Sequence, residues 1–105
     1  DIGPVVDTTF DTGAPTLQAL VADRAPAPPY PPMAERRRQS GTVVLLILVD
    51  AGGNPVQVDI EQSSGFKLLD EAAQKFVRAR WHFQPAQQGG AAVSAYARVP
   101  VTFVL

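Results

Sequence analysis

The sequence predicts an α+β domain with a three-stranded antiparallel sheet and helices packed on one face. Three patterns predict it. Val43–Val49 is a continuous apolar run of strand length, and Val56–Glu61 alternates apolar and polar residues. Leu69–Val77 repeats apolar residues at helical spacing and is followed by a long terminal strand. With a first helix near Pro32, the order of elements becomes helix, strand, strand, helix, strand.

The distribution of proline sets the domain boundary. Five of the ten prolines lie between Pro26 and Pro32, and proline-rich segments favour extended, semi-rigid spacers. Residues 1–29 are therefore predicted to be an extension or linker, and residues 30–105 a folded domain. The extension also contains apolar residues, among them Val5, Val6 and Phe10, and Leu17, Leu20 and Val21 on one helical turn that Thr16 would cap.

The domain is expected to begin with a short helix. Pro31 and Pro32 suit a first helical turn, where a missing N–H costs little. Gly41 fits a helix C′ position, so the helix is predicted from Pro32 to about Gln39.

Two strands joined by a hairpin are predicted next. Val43–Val49 is apolar on both faces, which is typical of a strand with little solvent contact. Gly52-Gly53-Asn54 predicts the hairpin connection. In the second strand, Val56, Val58 and Ile60 are expected to share one face.

The second helix follows the Ser63-Ser64-Gly65 turn. Its apolar positions are Leu69, Ala72, Ala73, Phe76 and Val77. Acidic residues lie in its first turn and basic residues in its last, as the helix dipole favours. Trp81 and Phe83 are expected to close the core at the helix exit, and Gln87–Gly90 to form a flexible loop after a stop at Pro85.

The terminal strand, Val93–Leu105, is predicted to be the longest. Its odd-numbered residues are apolar, whereas Ser94, Tyr96, Arg98 and Thr102 share the other face. Pro100 has no N–H to donate to a ladder, so the strand, or this part of it, should lie at an edge of the sheet.

Composition excludes several classes of protein. A net charge of −1 argues against a nucleic-acid binder, which would need a basic face for counterion release. The absence of cysteine excludes a disulfide framework and a thiolate site. No apolar run reaches the roughly 18–20 residues that span a bilayer. The chain begins at Asp1 rather than methionine, so it is expected to be a fragment whose lack of an anchor says nothing about the whole protein.

No catalytic residue, metal or cofactor is predicted. Ser63 or Ser64 with His82 and Asp70 has the composition of a nucleophilic triad, but no G-x-S-x-G elbow surrounds either serine. Turn and capping roles explain the serines instead. His82 is expected to point away from its aromatic neighbours toward solvent, and a single His without acidic or thiol partners is a poor metal site.

Other polar and aromatic residues also have structural explanations. Arg36-Arg37-Arg38 is interpreted as a solvated helix face, with contact to phosphate, peptidoglycan or lipid headgroups as the alternative. Asp59 and Glu61 lie two apart on an exposed strand face, so solvent exposure is expected rather than paired acid catalysis. Trp81 is assigned to core packing rather than ligand stacking.

The second face of the apolar strand needs a cover. One face of Val43–Val49 should pack under the helices, which leaves the face with Val44, Leu46 and Leu48, or its complement. Three covers are open: the extension folding back, a homodimer partner, or toleration of an apolar patch. The extension is favoured because it contains Phe10 and the apolar cluster around Leu17.

Several short motifs, weak singly, gain weight from their order and spacing. They are Tyr30-Pro31, Gly41-Thr42-Val43 after a basic helix, Asp50 with the glycine turn, Ser63-Ser64-Gly65, Leu69-Asp70-Glu71-Ala72-Ala73, Arg80-Trp81-x-Phe83-x-Pro85 and Val99-Pro100-Val101-Thr102-Phe103. Together they resemble the C-terminal domain of the TonB family of periplasmic energy transducers, over residues 29–105.

The resemblance implies a non-catalytic domain in the periplasm of Gram-negative bacteria. A proline-rich span would join it to an inner-membrane anchor that couples to a proton-driven ExbB–ExbD complex. It would bind the TonB box, a short segment of outer-membrane transporters for siderophores, vitamin B12 or other nutrients, as an extra strand beside the last strand. Such strand addition draws affinity from backbone hydrogen bonds, and a strand pulled lengthwise loads several of them together.

Carried onto this chain, the resemblance implies a docking edge. Its residues are Val93, Ser94, Ala95, Tyr96, Ala97, Arg98 and Val99. The side chains of Tyr96 and Arg98 would lie near the box, and Tyr30-Pro31 near the same site. Some family members have Gln three positions before that Tyr, where this chain has Ala27, so a side-chain contact there is unsupported. The alternative is an envelope-linker domain of the TolA kind, or a wall-binding domain, with the same fold.

Overall fold

A computed structural model describes residues 16–105. In chain order its elements are β1 (Ala22–Arg24), α1 (Pro32–Arg36), β2 (Gly41–Val49), β3 (Pro55–Gln62), α2 (Lys67–Arg80), β4 (His82–Phe83), β5 (Ala86–Gln88), β6 (Ala91–Val93) and β7 (Ala95–Phe103). The predicted order of helix, strand, strand, helix, strand is present as α1, β2, β3, α2 and β7. Within the described residues, four short strands are added to it.

The main sheet has the order β3-β2-β7, and both pairings are antiparallel. Ile47, in the middle of β2, lies opposite Val58 of β3 and Ala97 of β7. Because β2 has a neighbour on each side, the ladders satisfy its backbone groups and its side chains can be apolar throughout. This position explains the uninterrupted apolar run that the sequence shows.

The helices pack on one face of this sheet, and the core lies between the two layers. Its fully buried members are Val43, Leu45, Ile47 and Val49 of β2, Leu69, Ala73 and Val77 of α2, and Ala34 of α1. Burying each of the larger side chains stabilises the fold by about 1.5–3 kcal/mol. The predicted α+β class and one-sided helix packing are therefore confirmed.

The exit of α2 closes this core, as predicted. Phe83 is only 1% exposed, and the half-buried Trp81 ring lies 6.0 Å from it, centroid to centroid. The Trp81 Nε1–H donates to the carbonyl of Pro26 at 2.9 Å. Trp81 is therefore a packing residue that also holds the extension against the domain.

The first helix is shorter than predicted. α1 ends at Arg36, and Arg38 takes up the positive φ (56°) that was expected of a C′ glycine. Gly41 instead begins β2, where a Cβ atom would lie 2.9 Å from the carbonyl oxygen of Ser64. Glycine is needed there because another backbone passes close by.

The alternation predicted for β3 holds only at its centre. Val58 is buried, whereas Val56 and Ile60 are 54% and 37% exposed. The register between β2 and β3 shifts twice, near each end of the pairing. Such irregularities re-aim side chains, so α2 covers only the middle of this strand.

The terminal strand is also shorter than predicted. β7 begins at Ala95, and Val93 belongs to β6, where it lies opposite Ala86 of β5. The predicted loop Gln87–Gly90 is instead the tip of this hairpin, with Gly89 and Gly90 in its turn. Paired backbone therefore replaces the expected flexible connection.

The described part of the extension is extended rather than helical, so the predicted turn capped by Thr16 is wrong. Leu17 forms a parallel bridge with Tyr96, Leu20 packs against the core, and Val21 is 61% exposed. The predicted apolar cluster is thus split between three environments. Val5, Val6 and Phe10 lie outside the described residues.

The second sheet face carries Val44, Leu46 and Leu48, all half-buried. An ion pair lies across this face. Arg98 of β7, which lies opposite Leu46 of β2, donates from Nε to Oε1 of Glu61 on β3 at 2.6 Å. Leu20 packs on the helix-side core, while Leu17 shares the face of its partner Tyr96. The extension was the favoured cover of this face. Within the described residues, it reaches the face only through Leu17 at the sheet margin.

The β2–β3 hairpin loop is fixed by its own backbone and by the helix exit. Asp50 Oδ1 accepts hydrogen bonds from the N–H groups of Gly52 and Asn54, both at 2.9 Å. These bonds, first that from Asn54, lower the pKa of Asp50. Phe83 N–H donates to the carbonyl of Gly53 at 2.8 Å, so β4 is hydrogen-bonded to this loop.

Replacing Gly53 with Ala should be strongly destabilising. Its φ is 86°, and a Cβ atom would lie 2.0 Å from the carbonyl oxygen of Phe83, so either β4 or the loop must move. Gly90→Ala is the matched control, because Gly90 has a similar φ of 83° with nothing within 4 Å. We expect urea denaturation to show Gly53→Ala at least about 2 kcal/mol less stable than Gly90→Ala. Equal losses would show that the contact with β4 does not matter.

Candidate functional site: the outer edge of β7

The outer edge of β7 is the candidate site. The sheet order leaves β7 with β2 on one side only, as the position of Pro100 predicted. Backbone N–H and C=O groups on the other side of an edge strand are free to bind a further strand. The site is therefore a row of main-chain groups rather than a cluster of side chains.

Alternation along β7 decides which residues present those groups. The Tyr96 N–H donates to the carbonyl of Thr16, and the Gln18 N–H donates to the carbonyl of Tyr96, both at 2.8 Å. The backbone groups of Tyr96 therefore face away from β2. Because successive residues of a strand face opposite sides, Arg98, Pro100 and Thr102 also face outward.

This alternation explains how a nine-residue strand accommodates a proline. Pro100 lies opposite Val44 of β2, at a position where the backbone groups of β7 face outward. Its missing N–H therefore costs no bond to β2. The same absence interrupts the row of donors on the outer edge after Arg98.

The opposite edge of the sheet is less open at its centre. The side-chain amide of Gln74, on α2, donates from Nε2 to the carbonyl of Val58 on β3 at 2.6 Å. A strand docking beside β3 would have to displace this bond. Of the two sheet edges, β7 is therefore the better strand acceptor.

The residues predicted to form the docking edge do not lie in one element. Ala95, Tyr96, Ala97, Arg98 and Val99 form the first part of β7, Val93 ends β6, and Ser94 connects the two strands. Ala95 and Ala97 are buried toward the helices, whereas Tyr96 and Arg98 lie on the second face and are half-buried. The row of outward backbone groups is thus supplied mainly by Tyr96 and Arg98.

Tyr30 and Pro31 lie toward the other end of β7. The ring of Tyr30 packs edge-on against Phe103, with 5.5 Å between centroids, and its hydroxyl donates to the carbonyl of Gln39. Pro31 is the N-cap of α1. Phe103 is seven residues from Tyr96, which corresponds to roughly 20 Å along a strand. Ala27 is exposed.

The residues considered for a catalytic triad have other partners. The hydroxyls of Ser63 and Ser64 and the Ser64 N–H all donate to the carboxylate of Asp70. Burial raises the pKa of Asp70, but these three hydrogen bonds outweigh it, so the net shift is downward. Asp70 therefore fixes the turn before α2, and His82 contacts a different part of the chain.

His82 has a role that sequence reasoning missed. It was expected to face solvent, and its side chain is 36% exposed. In addition, Nδ1 lies 2.8 Å from the carboxylate of Asp23 and Nε2 lies 2.9 Å from the carbonyl of Gly52. Both partners are acceptors, so only the imidazolium, which carries two N–H groups, can make both bonds. The hydrogen bond to Asp23, followed by that to Gly52, raises the pKa of His82. The residue joins β1, β4 and the β2–β3 loop.

The remaining candidate residues lie at the surface. Arg36, Arg37 and Arg38 are all exposed, and Asp59 is exposed with a hydrogen bond from Gln57 at 2.7 Å. Among residues 16–105, no three His, Asp or Glu side chains are grouped closely enough to hold a metal ion. No helix in the same range combines the length and apolar character needed to cross a membrane.

Known proteins share this sequence pattern. The family described as Gram-negative bacterial TonB protein C-terminal matches residues 26–105. Protein tonB2 of Pseudomonas aeruginosa is 45% identical over 80 residues, which are 76% of this chain and 29% of that protein. Protein TonB of Xanthomonas campestris pv. campestris is 41% identical over 78 residues, 74% of this chain and 34% of that protein. The chain spans about a third of the length of these curated relatives.

The fold also has a solved counterpart. The solution NMR structure of the Pseudomonas aeruginosa TonB CTD matches with a TM-score of 0.67 and covers 90% of this chain and 89% of its own. The two sequences are 23% identical over the match. The likeness therefore concerns the fold, and it agrees with the α+β architecture of this chain.

The two hydrogen bonds of the His82 imidazole predict that the stability of the fold depends on pH. The pKa of His82 is raised above its ordinary value of 6.5. Its contribution to stability is therefore full below pH 6.5, the pKa in the unfolded chain, and is lost as pH rises through the higher folded pKa. NMR titration of the His82 ring should give a pKa above 6.5. Asp23→Asn should lower it, because the carboxylate charge is removed while the hydrogen-bond acceptor remains.

The same contribution should appear in urea denaturation. The stability difference between the parent chain and His82→Gln should be larger at pH 6 than at pH 8.5. A parent pKa at or below 6.5, or a pKa that Asp23→Asn leaves unchanged, would contradict this assignment.

Proposed function

The chain belongs to the TonB C-terminal domain family, and we propose on that basis that it is a periplasmic binding module that transmits energy to outer-membrane transporters. Its task is mechanical rather than catalytic. It binds a transporter segment firmly enough to be pulled and transfers the force through its fold. The family membership confirms the resemblance that the sequence motifs carried.

The proposed binding mode is addition of the transporter's TonB box as a strand along the outer edge of β7. One observation carries this proposal: the outward N–H and C=O of Tyr96 already hydrogen-bond an added segment of chain, Thr16–Gln18. This backbone is therefore straight and accessible enough to accept a strand partner. Because the bonds involve main chain only, boxes of varied sequence can bind.

The length of the ladder is limited by the chain itself. Tyr96 and Arg98 supply outward N–H and C=O groups, and Pro100 supplies only a carbonyl. The incoming strand should therefore form its central bonds with Tyr96 and Arg98. Val93 and Ser94, which belong to the hairpin end and the connection, would guide the box rather than extend the ladder.

Strand addition at this position suits force transmission. β7 is paired with β2 over nine residue pairs, from Gly41 with Phe103 to Val49 with Ala95. A lengthwise pull on a strand docked beside β7 is shared by the bonds of that ladder and then by the longer ladder behind it. Val43, Leu45, Ile47 and Val49 of β2 are fully buried in the core that also contains residues of both helices, so the load enters the best-packed part of the domain.

The side chains beside this edge have specific roles in the proposal. Arg98 is bound to Glu61 at 2.6 Å, so its guanidinium is held over the second sheet face. Tyr96 lies on the same face, next to Leu17. A box side chain at the Leu17 position would therefore contact the Tyr96 ring, and an acidic box residue could compete with Glu61 for Arg98.

The wider assembly completes the proposal. An N-terminal anchor in the inner membrane, coupled to ExbB–ExbD, would supply the force through the proline-rich extension. A homodimer formed through the half-buried Val44, Leu46 and Leu48 face would be one further state of the same module. An envelope-linker domain of the TolA kind would share the fold but would not bind box peptides.

Substitutions at Arg98 separate backbone recognition from side-chain recognition. Arg98→Pro removes one outward N–H without removing a bond to β2, as Pro100 already does. Arg98→Ala also loses the ion pair with Glu61 but keeps the N–H, so it is the matched control. In NMR titrations with TonB-box peptides from transporters of the same organism, we expect Arg98→Pro to bind about tenfold more weakly than Arg98→Ala.

The same titrations test the proposed function as a whole. Chemical-shift changes in the parent chain should concentrate on Ala95–Val99. Absence of binding by several boxes at millimolar concentration would favour the envelope-linker alternative. Equal binding by Arg98→Pro and Arg98→Ala would show that the box does not use the backbone of this edge.

A further inference from the structure

The docking edge of β7 is already partly occupied by the chain's own extension. Thr16 and Gln18 make two backbone hydrogen bonds to Tyr96, both 2.8 Å long, in a parallel arrangement. These are the main-chain groups that a docking strand would need. We propose that Thr16–Gln18 is an intramolecular competitor that must leave Tyr96 before a transporter strand can dock fully; this inference rests on the proposed function.

The segment is held close to the edge by the anchored strand next to it in the chain. Only three residues separate Gln18 from β1, and β1 is paired with β4 through Ala22 opposite Phe83. Such a short tether keeps the local concentration of the segment at millimolar or higher. Three hydrogen-bonded links fix the far end of this tether: Gln84 N–H to Val21 C=O at 2.8 Å, His82 to Asp23 at 2.8 Å, and Trp81 to Pro26 at 2.9 Å.

The occupancy is local, which leaves a place for docking to begin. After Gln18 the chain turns away toward β1, so the segment pairs with Tyr96 and does not reach Arg98. Within residues 16–105, the outward N–H of Arg98 has no backbone partner in this structure. An incoming strand can therefore bind first at Arg98 and then displace the segment from Tyr96.

The contact is weak enough to be displaced. It comprises two backbone hydrogen bonds and the half-buried side chain of Leu17. Two hydrogen bonds of about 1 kcal/mol net each correspond to a closed-to-open ratio of roughly thirty. The segment should therefore weaken strand docking measurably without preventing it. Under the proposed function, tension applied from the N-terminal side reaches Thr16 before it reaches β1, so pulling would open the edge.

Substitutions at Gln18 test the competition in the full chain. Gln18→Pro removes the N–H that donates to Tyr96, whereas Gln18→Ala keeps it. Both variants lose the side-chain bond from Gln18 to Thr16, and neither alters β7. With TonB-box peptides from transporters of the same organism, we expect Gln18→Pro to bind roughly five- to tenfold more tightly than Gln18→Ala.

Amide hydrogen exchange provides a measurement without any peptide. The Tyr96 amide should exchange more slowly in Gln18→Ala than in Gln18→Pro, because the added segment protects it only when both bonds form. The Ala97 amide, which faces β2, should be equally protected in both variants. Matching circular dichroism spectra would show that both variants keep the fold.

The outcomes separate this inference from the proposed function. Finite and equal affinities for the two Gln18 variants would overturn the competition while leaving strand addition intact. No binding by Gln18→Pro, whose edge is open, would overturn the proposed function and the competition with it. Equal exchange rates of the Tyr96 amide in the two variants would show that the segment does not cover the edge, irrespective of the measured peptide affinities.

Discussion

The pairing of β2 on both sides is the constraint on which the rest of the structure depends. With β3 and β7 as neighbours and the helices above it, β2 forms the buried centre of the sheet. The bonds that β7 makes to β2 fix which of its residues face outward. Tyr96 and Arg98 therefore present their backbone groups at the edge, and Pro100 occupies a position where no inner bond is lost. The candidate site is a consequence of this register.

The two edges of the sheet are covered in different ways. At β3, the side chain of Gln74 donates a hydrogen bond to the backbone carbonyl of Val58, and two register shifts interrupt the regular pairing of the strand. At β7, a proline limits the ladder and a short segment of the chain covers Tyr96. Both arrangements reduce uncontrolled strand pairing, which is a hazard for any exposed edge. The first uses one side-chain hydrogen bond, whereas the second uses two backbone hydrogen bonds to another segment of the chain.

The exit of α2 links the hairpin loop to the extension. Gly53 accepts a bond from Phe83, His82 bonds both Gly52 and Asp23, and Trp81 holds Pro26. The residues between α2 and the β5–β6 hairpin thereby determine where the extension leaves the domain. That position places Thr16–Gln18 beside β7. The helix exit and the outer edge of β7 are therefore connected through one short stretch of chain.

The sequence alone determined the order of the five main elements, the class of fold and the family. A continuous apolar run identified β2, apolar periodicity identified β3 and α2, and Pro100 identified β7 as an edge strand. These signals depend on local residues and on which faces are buried. Tertiary structure decided what depends on contacts between distant segments. Leu17 pairs with Tyr96, His82 finds Asp23 and Gly52, and Arg98 crosses the sheet to Glu61; none of these has a local pattern. The edge was predictable because proline lacks an N–H, whereas its occupant was not, because almost any residue can supply two backbone hydrogen bonds.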